Sequence, residues 1–156
     1  MTRKNFFVRF GVFIAAAVLA VAGQTGQAAA DSANINNFPS LSSCDVGSPY
    51  YFCLYYSPGH TGGAWRSRSS AVREIGGRFT GGAGDGQLVR NNAASADNGT
   101  NCHIGIWVSP GYTGDSNWII QGNRGGNLTN SSPHLRNNEA SIAVADSTNC
   151  PGLGIG

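Results

Sequence analysis

The sequence predicts an all-β fold, a sandwich of two sheets built from two copies of one unit. Three observations carry that expectation. Glycine takes 23 of 156 positions, which suits a chain dominated by turns. Only 12% of residues are charged, about half the usual share, which disfavours a helical bundle and charge-driven disorder. Third, the chain repeats itself. The stretch Leu54 to Gly62 (LYYSPGHTG) returns 52 positions later as Ile106 to Gly114 (IWVSPGYTG). Arg90-Asn91-Asn92-Ala93-Ala94-Ser95 returns 46 positions later as Arg136-Asn137-Asn138-Glu139-Ala140-Ser141, and Ala96 to Cys102 is matched by Ala145 to Cys150.

The elements follow in order. Residues 1–30 carry Arg3, Lys4 and Arg9, then an apolar run from Phe10 to Ala22, then Ala28-Ala29-Ala30, the layout of a secretory signal peptide. The run is 13 residues, short of the roughly 18–20 that span a bilayer. Residues 31–43 read as a flexible leader. Copy one is expected over about 44–102 and copy two over about 103–150, with a tail at 151–156. In copy one Phe52, Leu54 and Tyr56 alternate with Tyr51, Cys53 and Tyr55; in copy two Ile104, Ile106 and Val108 alternate with His103, Gly105 and Trp107. Period two predicts strands with one buried face. Ser-Pro-Gly ends each strand, since Pro removes a donor and Gly admits positive φ. Second strands are expected from near Trp65 and Trp118, one helical turn over Ala71–Ile75, and loops at Gly76-Gly77, Gly81-Gly82-Ala83-Gly84 and Gly125-Gly126. A unit of about fifty residues cannot bury its own face, so the two copies should pack as about eight short strands in two sheets.

Without residues 1–30 the chain keeps seven Arg and eight acidic groups, a net charge of −1. That charge gives no argument for nucleic-acid binding, and the mature protein is expected to be secreted, monomeric and off the membrane once cleaved. Cys44, Cys53, Cys102 and Cys150 all lie beyond the leader peptide, an even number in an exported chain, and no C-x-x-C pair suggests zinc. Three pairings are open. The proposed scheme joins Cys44 to Cys53 as a local staple and Cys102 to Cys150 across the ends of the two copies.

Trp107-x4-Tyr112-x-Gly114 resembles the aromatic-x4-aromatic-x-Gly signature of βγ-crystallin Greek keys; copy one offers Tyr55-x4-His60-x-Gly62, with His in the second aromatic place. The Asn-Asn-x-x-Ser blocks resemble that family's calcium motif, each departing at the last position, where Ala96 and Ile142 stand for Ser. Together with the signal peptide and the early cysteine pair, residues 44–150 resemble the secreted actinomycete metalloproteinase inhibitors, which have a βγ-crystallin-like fold. The resemblance implies a double Greek key, a secreted protease as partner, no required cofactor, and calcium sites at Asn92, Ala93 (carbonyl) and Ser95 and at Asn138, Glu139 (carbonyl) and Ser141. The prototype inhibitor carries its reactive region in a disulfide-closed loop of motif two. This chain has no close cysteine pair there, so the inhibitory residues stay unassigned.

No catalytic constellation is legible. His60, His103 and His134 are isolated, no H-E-x-x-H or G-x-S-x-G occurs, and Asp85, Asp97, Asp115, Glu139 and Asp146 are scattered singly. The expectation is a non-enzyme. Inhibition of an extracellular metallopeptidase leads. The alternatives are a calcium-binding structural or stress protein, a carbohydrate-binding module using Tyr50, Tyr51, Tyr55, Tyr56, Trp65, Trp107 and Trp118, and a small secreted hydrolase or toxin. Arg66, Arg68, Arg73 and Arg78 concentrate positive charge in copy one and read as a solvated loop, with an anionic surface partner as the alternative.

Overall fold

The computed structural model describes residues 35, 38–39, 41–119, 124–130, 135–145 and 150. Residues 1–30, expected as a signal peptide, residues 151–156, expected as a tail, and His134 and Asp146 lie outside the described residues. Among the described residues nine strands form: β1 (Phe38–Pro39), β2 (Phe52–Ser57), β3 (Thr61–Ser67), β4 (Ala71–Val72), β5 (Ser95–Asn98), β6 (Ile104–Ser109), β7 (Thr113–Ile119), β8 (Arg124–Asn127) and β9 (Ser141–Val144). They make two antiparallel sheets, ordered β1-β8-β5-β2-β3 and β4-β9-β6-β7. Each copy keeps three strands in its own sheet and sends one to the other: β4 of copy one pairs with β9, and β8 of copy two pairs with β5. This exchange makes the two Greek keys one folding unit.

Gly125-Gly126, expected as a loop, lies within strand β8, and the second strands begin at Thr61 and Thr113, ahead of the expected Trp65 and Trp118. The helical turn expected over Ala71–Ile75 does not form. Ala71 and Val72 are instead the crossing strand β4, opposite Ala143 and Ile142. The ladder of the other sheet supplies partners that five residues of helix could not supply to themselves. Where the segment read as a flexible leader is described, it is tied to the domain. Ile35 is buried in the core, Phe38–Pro39 pairs with Gly125 and Arg124, and the Leu41 N–H donates to Asp97.

The period-two reading places Phe52, Leu54, Ile104 and Ile106 between the sheets, with Ile119, Ile142, Val144, Phe79 and Val89. Burying such side chains contributes about 1.5–3 kcal/mol each. Alternation does not leave the other face of β2 wet, however: Cys53 and Tyr55 are buried too, with Cys44 and Ala64. The chain folds back over that face. Cys44 is bonded to Cys53 and the turn after β2 brings His60 against the Tyr55 ring, centroids 5.3 Å apart. Copy two repeats the device with Tyr112 edge-on to Trp107 at 5.4 Å.

Candidate functional site

Both turns after the first strands are folded hairpins with matching backbones. His60 and Tyr112 sit at φ 59° and 63°, and Gly62 and Gly114 at 76° and 77°. A serine from the fourth strand of each copy holds the turn. Ser95 Oγ accepts the His60 N–H (3.0 Å) and donates to the Ser57 carbonyl (2.7 Å). Ser141 Oγ accepts the Tyr112 N–H (3.1 Å) and donates to the Ser109 carbonyl (2.7 Å). The serines proposed as calcium ligands thus serve as clasps of the hairpins.

The Asn-Asn blocks meet at the pseudo-twofold axis. The Asn91 N–H donates to the Glu139 carbonyl and the Asn137 N–H to the Ala93 carbonyl, both at 3.0 Å, with both asparagines at positive φ. Into this junction Glu139 turns a fully buried carboxylate. It accepts N–H groups from Asn92 (2.9 Å) and Ala93 (2.8 Å) of copy one and Asn138 (3.1 Å) of copy two. Burial pushes its pKa up to about 7 against the lowering influence of those donors. The residues fit a calcium ion poorly. The only carboxylate of the set points inward at N–H groups, both carbonyls already accept a hydrogen bond, and calcium favours several carboxylate oxygens. No group of three or more His, Cys, Asp or Glu able to hold a metal occurs among the described residues.

Copy one carries a second buried polar cluster that has no counterpart among the described residues of copy two. Asp97 Oδ2 accepts the Tyr55 hydroxyl and the Leu41 N–H, each at 3.1 Å, and its Oδ1 lies 3.1 Å from His60 Nε2. Burial raises Asp97 to about 7 and lowers His60, so charge on this pair is disfavoured from both sides. At the position matching Asp97, facing β6 as Asp97 faces β2, copy two has Ala143. Gly125 of β8 makes room for the cluster, because a Cβ there would overlap Asp97 Oδ1 and the Ala96 carbonyl. All three groups are shut from solvent, so a substrate has no route to them.

The aromatic residues do not assemble into one sugar platform. Trp107 packs between Tyr112 and Trp118, Trp65 stacks on Phe52, and Tyr50 lies under Arg66 and Arg68. Arg78 is not simply solvated either: its Nη1 donates to the Gly86 carbonyl at 2.6 Å. That bond belongs to an exposed loop of copy one, from Thr80 to Leu88. The sequence marked its glycines as a loop but did not single out Leu88.

Cys44–Cys53 and Cys102–Cys150 are the two disulfides, with Cα separations of 6.2 and 5.8 Å and no free cysteine among the described residues. A rigid, doubly stapled β sandwich with ordered surface loops is equipped to bind a protein surface. The family model of peptidase inhibitor family I36 matches residues 40–119, just over half of the chain. The chain belongs to peptidase inhibitor family I36. No curated protein matches it. Among solved structures, this I36 chain is similar to one described under the evolution of the eye lens βγ-crystallin domain fold. The two share 15% identity, with a TM-score of 0.51, over 70% of this chain and 97% of that one. It is also similar to a βγ-crystallin from Ciona intestinalis (10% identity, TM-score 0.44, 60% and 98% covered). The N-terminal domain of protein S is a third (16%, 0.41, 61% and 94%). The first likeness establishes the I36 chain as a βγ-crystallin-like double Greek key.

Proposed function

We propose that the chain is exported, loses residues 1–30, and inhibits an extracellular metallopeptidase through a rigid loop outside the β core. Membership of the peptidase inhibitor family carries this reading. The physical support is preorganisation: loops held by two disulfides and paired hairpins lose little conformational freedom on docking, so contact energy is retained as affinity. The test is a titration of secreted metallo- and serine peptidases with the mature protein. Stoichiometric loss of activity of at least one metallopeptidase is expected; if every enzyme stays fully active, the reading is wrong.

Because the Asn-Asn turns fit calcium poorly, no calcium site is proposed there, and melts with and without calcium are expected to coincide. With a dissociation constant of ~10⁻³ M, 5 mM calcium would stabilise the fold by about 1 kcal/mol and raise Tm by a few degrees. Melts in 5 mM calcium and in chelator, at matched ionic strength, decide the matter. Such a rise in Tm would overturn this expectation.

A further inference from the structure

We infer that the loop Thr80–Leu88 of copy one is the surface that docks on the peptidase, with Leu88 entering an apolar specificity pocket. This inference rests on the inhibitory reading and names the residues that perform it.

The first support is that the Greek key does not need this loop. The repeat offset falls from 52 at the Ser-Pro-Gly turn to 46 at the Asn-Asn block, so copy one carries six more residues than copy two between these landmarks. The extra length falls in the segment containing Gly81-Gly82-Ala83-Gly84-Asp85-Gly86. Copy two completes the same architecture with the shorter connection.

The second support is that the loop is exposed yet ordered. Phe79 and Val89 are buried at its ends, while every residue from Thr80 to Leu88 except the half-buried Gly84 is exposed. The Phe79 N–H donates to the Gln87 carbonyl and the Gly86 N–H to the Phe79 carbonyl, both at 2.9 Å. Inside that frame Asp85 Oδ1 accepts the Gly81 N–H at 2.9 Å, and the Gly63 N–H of the folded hairpin donates to the Ala83 carbonyl at 2.6 Å. Gly84 presses against Tyr56, where a Cβ would overlap the ring. An exposed segment this heavily hydrogen-bonded is already shaped before it meets a partner.

The third support is Leu88 itself. At 55% exposure it stands out further than Leu41, Val46 and Tyr51, the other exposed large apolar side chains described. Carbonyls on either side of Gln87 are held by side chains from outside the loop: Arg78 Nη1 donates to Gly86 O (2.6 Å) and Asn92 Nδ2 to Leu88 O (3.1 Å). A single exposed leucine on a surface is ordinary. A leucine whose own carbonyl is held by Asn92, just after a Gly86 carbonyl held by Arg78, at the end of a segment that copy two does without, is a preformed anchor. Its chemistry selects a peptidase whose pocket accepts an uncharged aliphatic side chain, because the loop offers only Asp85 as a charge and that carboxylate is turned onto the loop backbone.

The test uses the mature protein and any peptidase it inhibits in the titration above. Inhibition constants are measured for wild type, Leu88→Ala, Leu88→Arg and Val46→Arg, a control at an exposed apolar residue outside the loop, with a melt of each. The expected result is about 30-fold weaker inhibition for Leu88→Ala, at least 100-fold for Leu88→Arg, and less than threefold change for Val46→Arg. If Leu88→Arg inhibits within threefold of wild type, this inference falls while the inhibitory reading stands. Failure of wild type against every peptidase overturns both. Should Leu88→Arg melt lower than wild type, amide exchange of the wild-type complex decides: slowed exchange at residues 80–88 supports docking there, and unchanged exchange refutes it.

Discussion

Replacing Glu139 by alanine is expected to lower the stability of the domain by about 3–5 kcal/mol, because it leaves three backbone N–H donors without their acceptor at the junction of the two copies. Glu139→Gln keeps one acceptor oxygen for Asn92 and Ala93 and should cost only about 1–2 kcal/mol. The pair also separates the charge from the hydrogen bonds. Glu139 is raised from 4.5 to about 7 in the folded state. Between those values the folded protein holds a proton that the unfolded chain releases, so this group's stabilising contribution is full below about pH 4.5 and is lost as pH rises through 7. Asp97 acts in the same direction and His60 in the opposite one. Both are unchanged in Glu139→Gln, so the difference between wild type and this variant isolates Glu139. The variant should gain on wild type between pH 4.5 and 7.5. Urea unfolding at several pH values measures it, and a difference that stays constant across this range would show that Glu139 does not titrate there.

Removing the Cys102–Cys150 bond by a double serine substitution is expected to cost about 4 kcal/mol, and removing Cys44–Cys53 about 2–3 kcal/mol. The order follows from the span each bond closes, 48 residues against 9. The long link ties the end of copy one to the end of copy two, so its loss frees the unfolded chain over the whole second motif. The corresponding fall in Tm is roughly 10–15 °C for the long bond. Thermal and urea melts of the two double variants decide the ranking. A larger loss from the short bond would mean that native-state contacts around Cys44, not chain entropy, dominate.

Much of this fold was legible in one dimension. The repeat, read with period-two alternation at Phe52–Tyr56 and Ile104–Val108, locates both first strands, and Ser-Pro-Gly locates the hairpins, because those signals depend only on neighbouring residues. Ala71–Val72 was misread as a helical turn for the opposite reason. Two residues carry no period, and their partners Ala143 and Ile142 lie some seventy positions away in the chain.

The site divides along the same line. Ser95 and Ser141 were legible as important because each stands at a fixed place in a repeated block. Their work, clasping the hairpins at Ser57 and Ser109, required the chain to fold back on itself. In sequence Glu139 reads as a backbone carbonyl in a turn and as one more isolated acid; its side chain matters because the fold carries Asn92 and Ala93 to it from 47 and 46 residues away. Asp97 looked like one of several scattered acids until Tyr55, His60 and Leu41 closed around it. Sequence alone therefore determined the repeated all-β architecture and the order of its turns, since local sterics and burial periodicity act along the chain. Which polar groups are buried, and that Leu88 stands exposed with its carbonyl held by Asn92, were decided only by tertiary structure, because desolvation and hydrogen bonding depend on how the folded chain arranges its residues.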